Sequence, residues 1–479
     1  MPAARLTVWD DAACWRVHEA TLALLEETGV EVRHGRARAL LAEAGARLDG
    51  TRARIPAALV DAALQSAPRH FTLRPRGGAG SAAGHARRGE LGALELRDGE
   101  TYFGTGSDCV YVRDPETGER RRATVADVEG LAALAERLPQ LDFVMSMGLP
   151  ADVAPEAGDL AQFAAMLCGT RKPLLATAHD GDSLRRMRDM AAMCGEERSF
   201  ACYAMPDPPL VHGEEALDKV MTCAALGVPL VYAPAPSAGA TAPASVPATV
   251  LVGNAETLSG LVVHQLARPG APFVYGVGCG ALDMRTAVDV YGAPEHFLGN
   301  AAATDLARFY GLPSFSYAGV SDSKLPDEQW AAEAAAATVL GALSRATLLH
   351  DVGYLESGLQ SSYETVVLGD ELAGFARALL AEVGVDEESL ALNEIDAVGP
   401  GGSFLGRDHT RRHHHAFWLP ALLDRQPYER WLAAGGRTLG ERVRERAAAL
   451  RAAARSFEVD GALRERLWRE VAAATEARR

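Results

Sequence analysis

From about residue 140 the chain alternates between two rhythms. Short apolar, β-prone runs start at Leu141 (LDFVMSMGL), Lys172 (KPLLATA), Phe200 (FACYAM), Pro229 (PLVYAPA), Pro272 (PFVYGVG), Ser314 (SFSYAGV), Ala346 (ATLLHDVGYL) and, in weaker form, Ile395 (IDAVGPGG). Between them, residues 155–168, 182–193, 214–225, 249–266, 294–310, 327–343 and 361–383 read as helical. Buried strands alternating with helices in this way predict an α/β protein built on a (β/α)8 TIM barrel over residues 123–436. The competing architecture is a doubly wound open sheet. Against it, GVGCGA at Gly276–Ala281 matches a dinucleotide fingerprint only loosely, and no GK[ST] phosphate loop occurs.

The flanks differ from this core. Residues 11–64 repeat apolar positions near the helical period, with His18, Leu22, Leu25, Leu40 and Leu41 among them. Residues 67–111 turn glycine-rich and hold short β-like pieces, so residues 1–122 are expected to form a helical extension with a small β-containing segment. Thr124 is placed to cap a helix that runs to about Arg137. Residues 437–479, rich in Ala, Arg, Leu and Glu, predict C-terminal helices: a solvated surface tail, with a clasp on the barrel or a dimer arm as alternatives.

Composition narrows the partners. A formal net charge of -15 argues against nucleic acid, which needs clustered Lys and Arg, and favours a cationic ligand or a basic surface. The seven cysteines are scattered and lack CxxC spacing, which points to a reducing cytoplasm rather than a disulfide framework. No signal core or membrane span is expected.

In a β/α barrel, sites are built at the C-terminal ends of the strands. Polar residues there include Thr177, His179, Asp180, Tyr203, Asp207, Tyr232, Tyr275, Asp283, Tyr317, Asp322, Lys324, His350, Asp351, Tyr354 and Glu356. Tyrosines recur in this set although only 6% of the chain is aromatic, and Tyr102 and Phe103 are possible additions. Tyrosine faces with carboxylates suit a quaternary ammonium ion, through cation–π attraction without hydrogen bonds; amphipathic rim packing is the plain alternative. Lys324 near a strand end could serve as a Schiff-base nucleophile, although neighbouring Asp322 favours its protonated form. No GxSxG elbow is present. The successive His413, His414 and His415 cannot all face one ion and read as surface histidines, so no tightly bound metal is expected. PGGSFLGRDHT at Pro400–Thr410, with Gly401, Gly402 and His409, offers bare backbone against which a bulky cofactor could press.

Several ordered stretches resemble the trimethylamine methyltransferase family: Tyr102–Thr124 (YFGTGSDCVYVRDPETGERRRAT), Gly253–Gly276, Gly311–Gln329, the GYLESGLQSSYETVVLGDEL run, GGSFLGRDHT and LLDRQPYERW. No pyrrolysine is present, so the chain resembles the non-pyrrolysine branch, which acts on glycine betaine and related quaternary amines. The resemblance implies methyl transfer from such an amine to the Co(I) corrinoid (cobalamin) of a separate corrinoid protein, in a cytoplasmic homo-oligomer. From their positions at strand ends, Tyr102, Phe103, Tyr275, Tyr317 and Tyr354 are the cage candidates. Asp322 and Glu356 are the anionic partners, and His350 or Lys324 the donor to a substrate carboxylate. A barrel that binds betaines without catalysis and a lyase using Lys324 are the alternatives.

Overall fold

The structure, a computed structural model, describes residues 4–77, 91–453 and 459–478; the glycine-rich run expected to hold turns at 78–90 lies outside the described residues. Seven parallel strands lie side by side in the order Tyr102–Thr105, Leu348–Val352, Ser314–Tyr317, Phe273–Gly276, Leu230–Tyr232, Phe200–Ala204 and Leu174–Thr177. The gap between the first and last is filled by residues 143–144, which bridge Gly104 to Phe143 on one side and Val144 to Leu174 on the other. With that segment the sheet closes, and a helix follows every strand, from Val125–Glu136 to Tyr363–Leu380. This is the (β/α)8 TIM barrel expected from the alternation.

Its frame is shifted by one unit from the expected one. Tyr102–Thr105, inside the anticipated extension, is the first barrel strand, whereas the weak eighth run at Ile395 belongs to the helix Leu392–Val398. The reasons are local. The first strand is four residues long and carries Gly104, where a Cβ would stand 2.1 Å from the Phe143 ring. Such a strand has little hydrophobic signal, because glycine is there to admit a neighbour's ring. Ile395 is 51% exposed, so no sheet covers it. Ser314–Tyr317 is thus the seventh barrel strand, not the sixth.

Parallel register decides which side chains point inward. The interior is filled by Phe143, Met145, Leu175, Ala201, Val231, Val274, Phe315 and Leu348. Leu73, Leu94 and Leu96 join the same cluster from the antiparallel pair Phe71–Leu73 and Leu94–Leu96. The Tyr102 hydroxyl accepts the Glu95 N–H at 3.1 Å, which fixes this pair at the N-terminal end of the barrel. Burying its three leucines contributes roughly 2 kcal/mol each and plugs that end, leaving the C-terminal mouth as the opening. Also at the closed end, the Lys172 ammonium donates to the carbonyls of Ala135, Leu138 and Leu141 at 2.5–2.7 Å.

Both expected C-terminal helices form, Leu439–Ala453 and Gly461–Arg478. They lie against barrel helices and not free in solvent: Leu450, Leu467 and Val471 are buried, and Arg464 forms a double hydrogen bond with Glu129. Val246–Ala267 is long and apolar enough to span a membrane, but it is mostly buried against the barrel.

Candidate functional site

The strand Ser314–Tyr317 alternates its side chains, so Phe315 and Tyr317 both face the barrel interior near the mouth. Around them the structure gathers a nest of rings. His350 stacks on Phe315 with centroids 3.9 Å apart and lies 4.6 Å from Tyr317. Tyr203 stands 5.3 Å from Phe315, His296 4.9 Å from Tyr317, and Tyr291 stacks on His296 at 5.1 Å. Tyr203, Tyr291 and Tyr317 lie deep in the protein yet keep part of their surface open, as side chains do around an internal space. Small residues leave the room: a Cβ on Gly278 would stand 2.2 Å from the Tyr317 hydroxyl, and one on Gly106 would stand 2.0 Å from the Tyr354 ring.

Asp351 completes the nest through an irregularity in its strand. Leu349 pairs with Phe103 but Val352 pairs with Thr105, so one extra residue is inserted, and Asp351 adopts φ 72°. Such a bulge re-aims side chains. Asp351 Oδ2 lies 3.2 Å from His350 Nε2, while buried Oδ1 has no hydrogen-bond partner among the described residues. Burial pushes the Asp351 carboxyl well above the usual carboxylate range; the Tyr354 hydroxyl pulls it back and nearby Asp108 raises it again. Burial holds His350 down to about 3, and its Nδ1–H donates to the Ser316 carbonyl at 2.8 Å. When protonated, the Asp351 carboxyl can donate through Oδ2 to the neutral imidazole.

Asp108 is a second acid at the mouth, half-buried and also at positive φ (55°). Burial raises its pKa despite hydrogen bonds from Gln162 Nε2 at 2.8 Å and the hydroxyls of Thr177 and Ser146 at 3.3 and 3.4 Å. Tyr354 closes this side; its hydroxyl donates to the Ser107 carbonyl at 2.5 Å and accepts the Ser107 N–H at 2.8 Å. His296 is held down to about 4 by burial, and both of its ring nitrogens lack partners among the described residues.

Of the residues selected from the sequence, Tyr317, Tyr354 and His350 lie in this nest. The others are placed elsewhere. Tyr102 is at the plugged end. Phe103 faces the helical layer under the Arg377 guanidinium, 5.3 Å from its ring. Tyr275 points outward, where its hydroxyl donates to Asn254 Oδ1 at 2.8 Å. Asp322 accepts the N–H groups of Tyr291 and Gly292 at 2.7 and 2.9 Å, so it positions the tyrosine and leaves the nest to others. Glu356 is engaged by both Nε and an Nη of Arg120, at 2.8 and 3.0 Å. Exposed Lys324 donates to the Asp322 carbonyl at 2.7 Å, which removes it as a buried nucleophile. Gly401, Gly402 and His409 lie in the exposed segment beyond the last barrel helix; a Cβ on Gly402 would meet the Val398 carbonyl at 2.5 Å, and His409 stacks on His413. They do not form a cradle for a flat cofactor at the mouth.

Asp108 follows the first barrel strand, which the alternation did not reveal, while Tyr291 and His296 belong to a loop and a helix start, so none of the three carried a strand-end signal. Asp351 and Tyr203 stood among the strand-end residues, but nothing in their spacing singled them out.

A closed β/α barrel with aromatic rings and acids gathered at its C-terminal mouth is the scaffold on which barrel enzymes build their small-molecule sites. The chain belongs to the trimethylamine methyltransferase family, whose model matches residues 2–477. It is 30% identical over 451 residues to Trimethylamine methyltransferase MttB of Desulfitobacterium hafniense, covering 92% of this chain and 88% of that protein. It is 31% identical over 427 residues to a glycine betaine methyltransferase of the same species, covering 87% and 86%. Among solved structures, the monomethylamine methyltransferase of Methanosarcina barkeri superposes with a TM-score of 0.50 at 14% identity, covering 92% of this chain and 88% of that one, which supports the barrel fold.

Proposed function

We propose that the chain is a methyltransferase that takes a methyl group from a quaternary amine of the betaine type and delivers it to the Co(I) corrinoid of a separate protein. The observation that carries this reading is the unpartnered carboxyl oxygen of Asp351 within a ring of Tyr203, Tyr291, Phe315, Tyr317 and His350. The family relationship supports it independently.

The chemistry asked of the chain is modest. A quaternary ammonium already contains its leaving group: when the N–CH3 bond breaks, the bonding pair stays on nitrogen and a neutral tertiary amine departs, so no general acid is required. The corrinoid, when its carrier docks, supplies the nucleophile that accepts the methyl group. The protein has to hold the cation, aim one methyl outward and keep water away. Tyrosine faces attract the cation without offering a competing nucleophile. Ionised Asp351 would serve as the counterion, a form that the arriving positive charge favours. Asp108, when protonated, could donate a hydrogen bond to the carboxylate at the far end of a betaine, a role that Lys324 is not placed to fill.

The test is direct. The chain is mixed with a Co(I) corrinoid protein and a panel of methylated amines, and methylation of the corrinoid is followed by its absorption spectrum. Transfer from at least one quaternary amine is expected. Binding without transfer to any corrinoid partner would instead identify a non-catalytic binder.

A further inference from the structure

Beyond the last barrel helix, the chain folds into pieces that should not hold by themselves. Glu387–Leu390, Leu392–Val398 and Asp408–His413 are helices of four, seven and six residues, and none contains a buried residue. Helices this short are unstable in water unless something outside the helix fixes them. Two polar ties are visible. A capping box joins Asp386 to Ser389, and Arg407 pairs with Glu394 at 2.8 Å. The third contact is of another kind.

His409 and His413 are four residues apart on one helix and therefore share a face; their rings stack with centroids 4.2 Å apart. Both turn toward Glu388 of the first short helix. His413 Nε2 lies 3.0 Å from Glu388 Oε1, and His409 Nε2 lies 3.1 Å from the Glu388 carbonyl. One ligand atom from each of the three side chains lies within 4.8 Å of the other two. Tetrahedral zinc, with bonds of about 2.0–2.1 Å, needs its ligand atoms about 3.3 Å apart, so the three side chains, now within 4.8 Å, must draw together on the ion. Arg412 also pairs with Glu388 and must yield the shared oxygen to an ion. His414 is turned away, its Nδ1 beside the Thr410 and Arg411 carbonyls at 3.2 and 3.1 Å.

We propose that Glu388, His409 and His413 form a divalent transition-metal site, with zinc as the fitting ion, that staples the two short helices together. Two imidazoles and one carboxylate are zinc-type ligands, unlike the all-oxygen sets of calcium or magnesium. A fourth position remains for water. The site is independent of the barrel mouth, and the three consecutive histidines concealed it in the sequence: the working partner of His413 is the residue four positions earlier, not its neighbour.

The test uses the full-length chain with any affinity tag removed and metal stripped by chelation. Zinc titrated calorimetrically should bind with one equivalent per chain, and cobalt(II) substituted for zinc should give the intense visible bands of a four-coordinate ion. His409→Ala and His413→Ala should each weaken zinc binding at least about tenfold, whereas His414→Ala should leave it unchanged. Amide exchange over residues 386–413 should slow on zinc addition in the wild type only. Wild-type protein that takes up no zinc, or a His409→Ala/His413→Ala double variant that binds as tightly as the wild type, would overturn the proposal.

Discussion

Replacing Asp351 by Asn tests the nest at its electrostatic centre. Asn keeps the shape of the side chain and tolerates the positive φ of 72° that this position requires, so the bulge should survive. A quaternary nitrogen about 4 Å from an ionised carboxylate gains roughly 4 kcal/mol at an effective dielectric of 20. Against this stands the removal of the carboxyl proton, about 1.4 kcal/mol for each unit by which the raised pKa exceeds the assay pH. The Coulombic gain sets the ceiling, so Asp351→Asn should raise the Kd for the preferred quaternary amine by up to roughly 1000-fold, less the share spent on removing the proton. The sign of the pH effect follows from the same shift. Below the raised pKa of the free carboxyl, a cation that binds the ionised form must displace a proton, so wild-type affinity rises with pH until the free carboxyl itself ionises. Asp351→Asn should lose that slope.

Stability moves the other way, which separates lost binding from misfolding. A carboxyl whose folded pKa lies above its unfolded value favours the folded state least once the unfolded chain has ionised. Its stabilising share is thus present below about pH 4 and falls as pH rises toward the folded pKa. At pH 7 the Asn variant should therefore melt no lower than the wild type. Calorimetric titrations at several pH values, with thermal melts alongside, give both numbers. Unchanged affinity together with an unchanged pH slope would refute the role of Asp351 as counterion.

Other substitutions separate neighbours of similar chemistry. Tyr317→Leu should weaken quaternary-amine binding by about 1 kcal/mol or more while Tyr317→Phe keeps it within about twofold, because the attraction comes from the ring face. Gly278→Ala should reproduce the Leu defect, since its new Cβ would stand 2.2 Å from the Tyr317 hydroxyl. Glu356→Gln should leave affinity and turnover near wild type and cost at most about 1 kcal/mol of stability, as expected for a solvent-reached pair with Arg120; a large loss of turnover would return Glu356 to the site. Lys172→Met leaves three carbonyls at the plugged end without their donor and should lower the unfolding free energy, read from the denaturant midpoint, by about 2–4 kcal/mol, with binding intact in the folded fraction.

How much of this could be read from the chain depends on whether the signal was local. Helix ends were legible where chemistry marks them: residues 294–310 form the helix Pro294–Tyr310 because proline starts it and Gly311, at φ 68°, stops it. Residues 327–343 likewise formed a helix capped by the Asp327 side chain. The first barrel strand was missed because its signal is not local; it exists through pairing with Leu348–Val352 across more than half of the chain.

The nest shows the same limit more sharply. A tyrosine at a strand end faces the ligand or the helices according to parity, and parity is fixed by register between strands. Tyr232, Tyr275 and Ser314 share one row of the sheet, and that row points outward, to Asn254 in the case of Tyr275. Phe315 sits beside Gly276 and Leu348, and Tyr317 beside His350, in rows that point inward. Nothing in PFVYGVG or SFSYAGV reveals that Tyr275 faces the helices while Tyr317 faces the interior. Asp351 is the extreme case, because strict alternation after His350 would turn it away from the interior. One inserted residue reverses that, and the same insertion imposes the left-handed backbone that Asp and Asn accept more readily than most residues. The acid proposed as the counterion is thus placed by a break in the pattern from which the barrel was read.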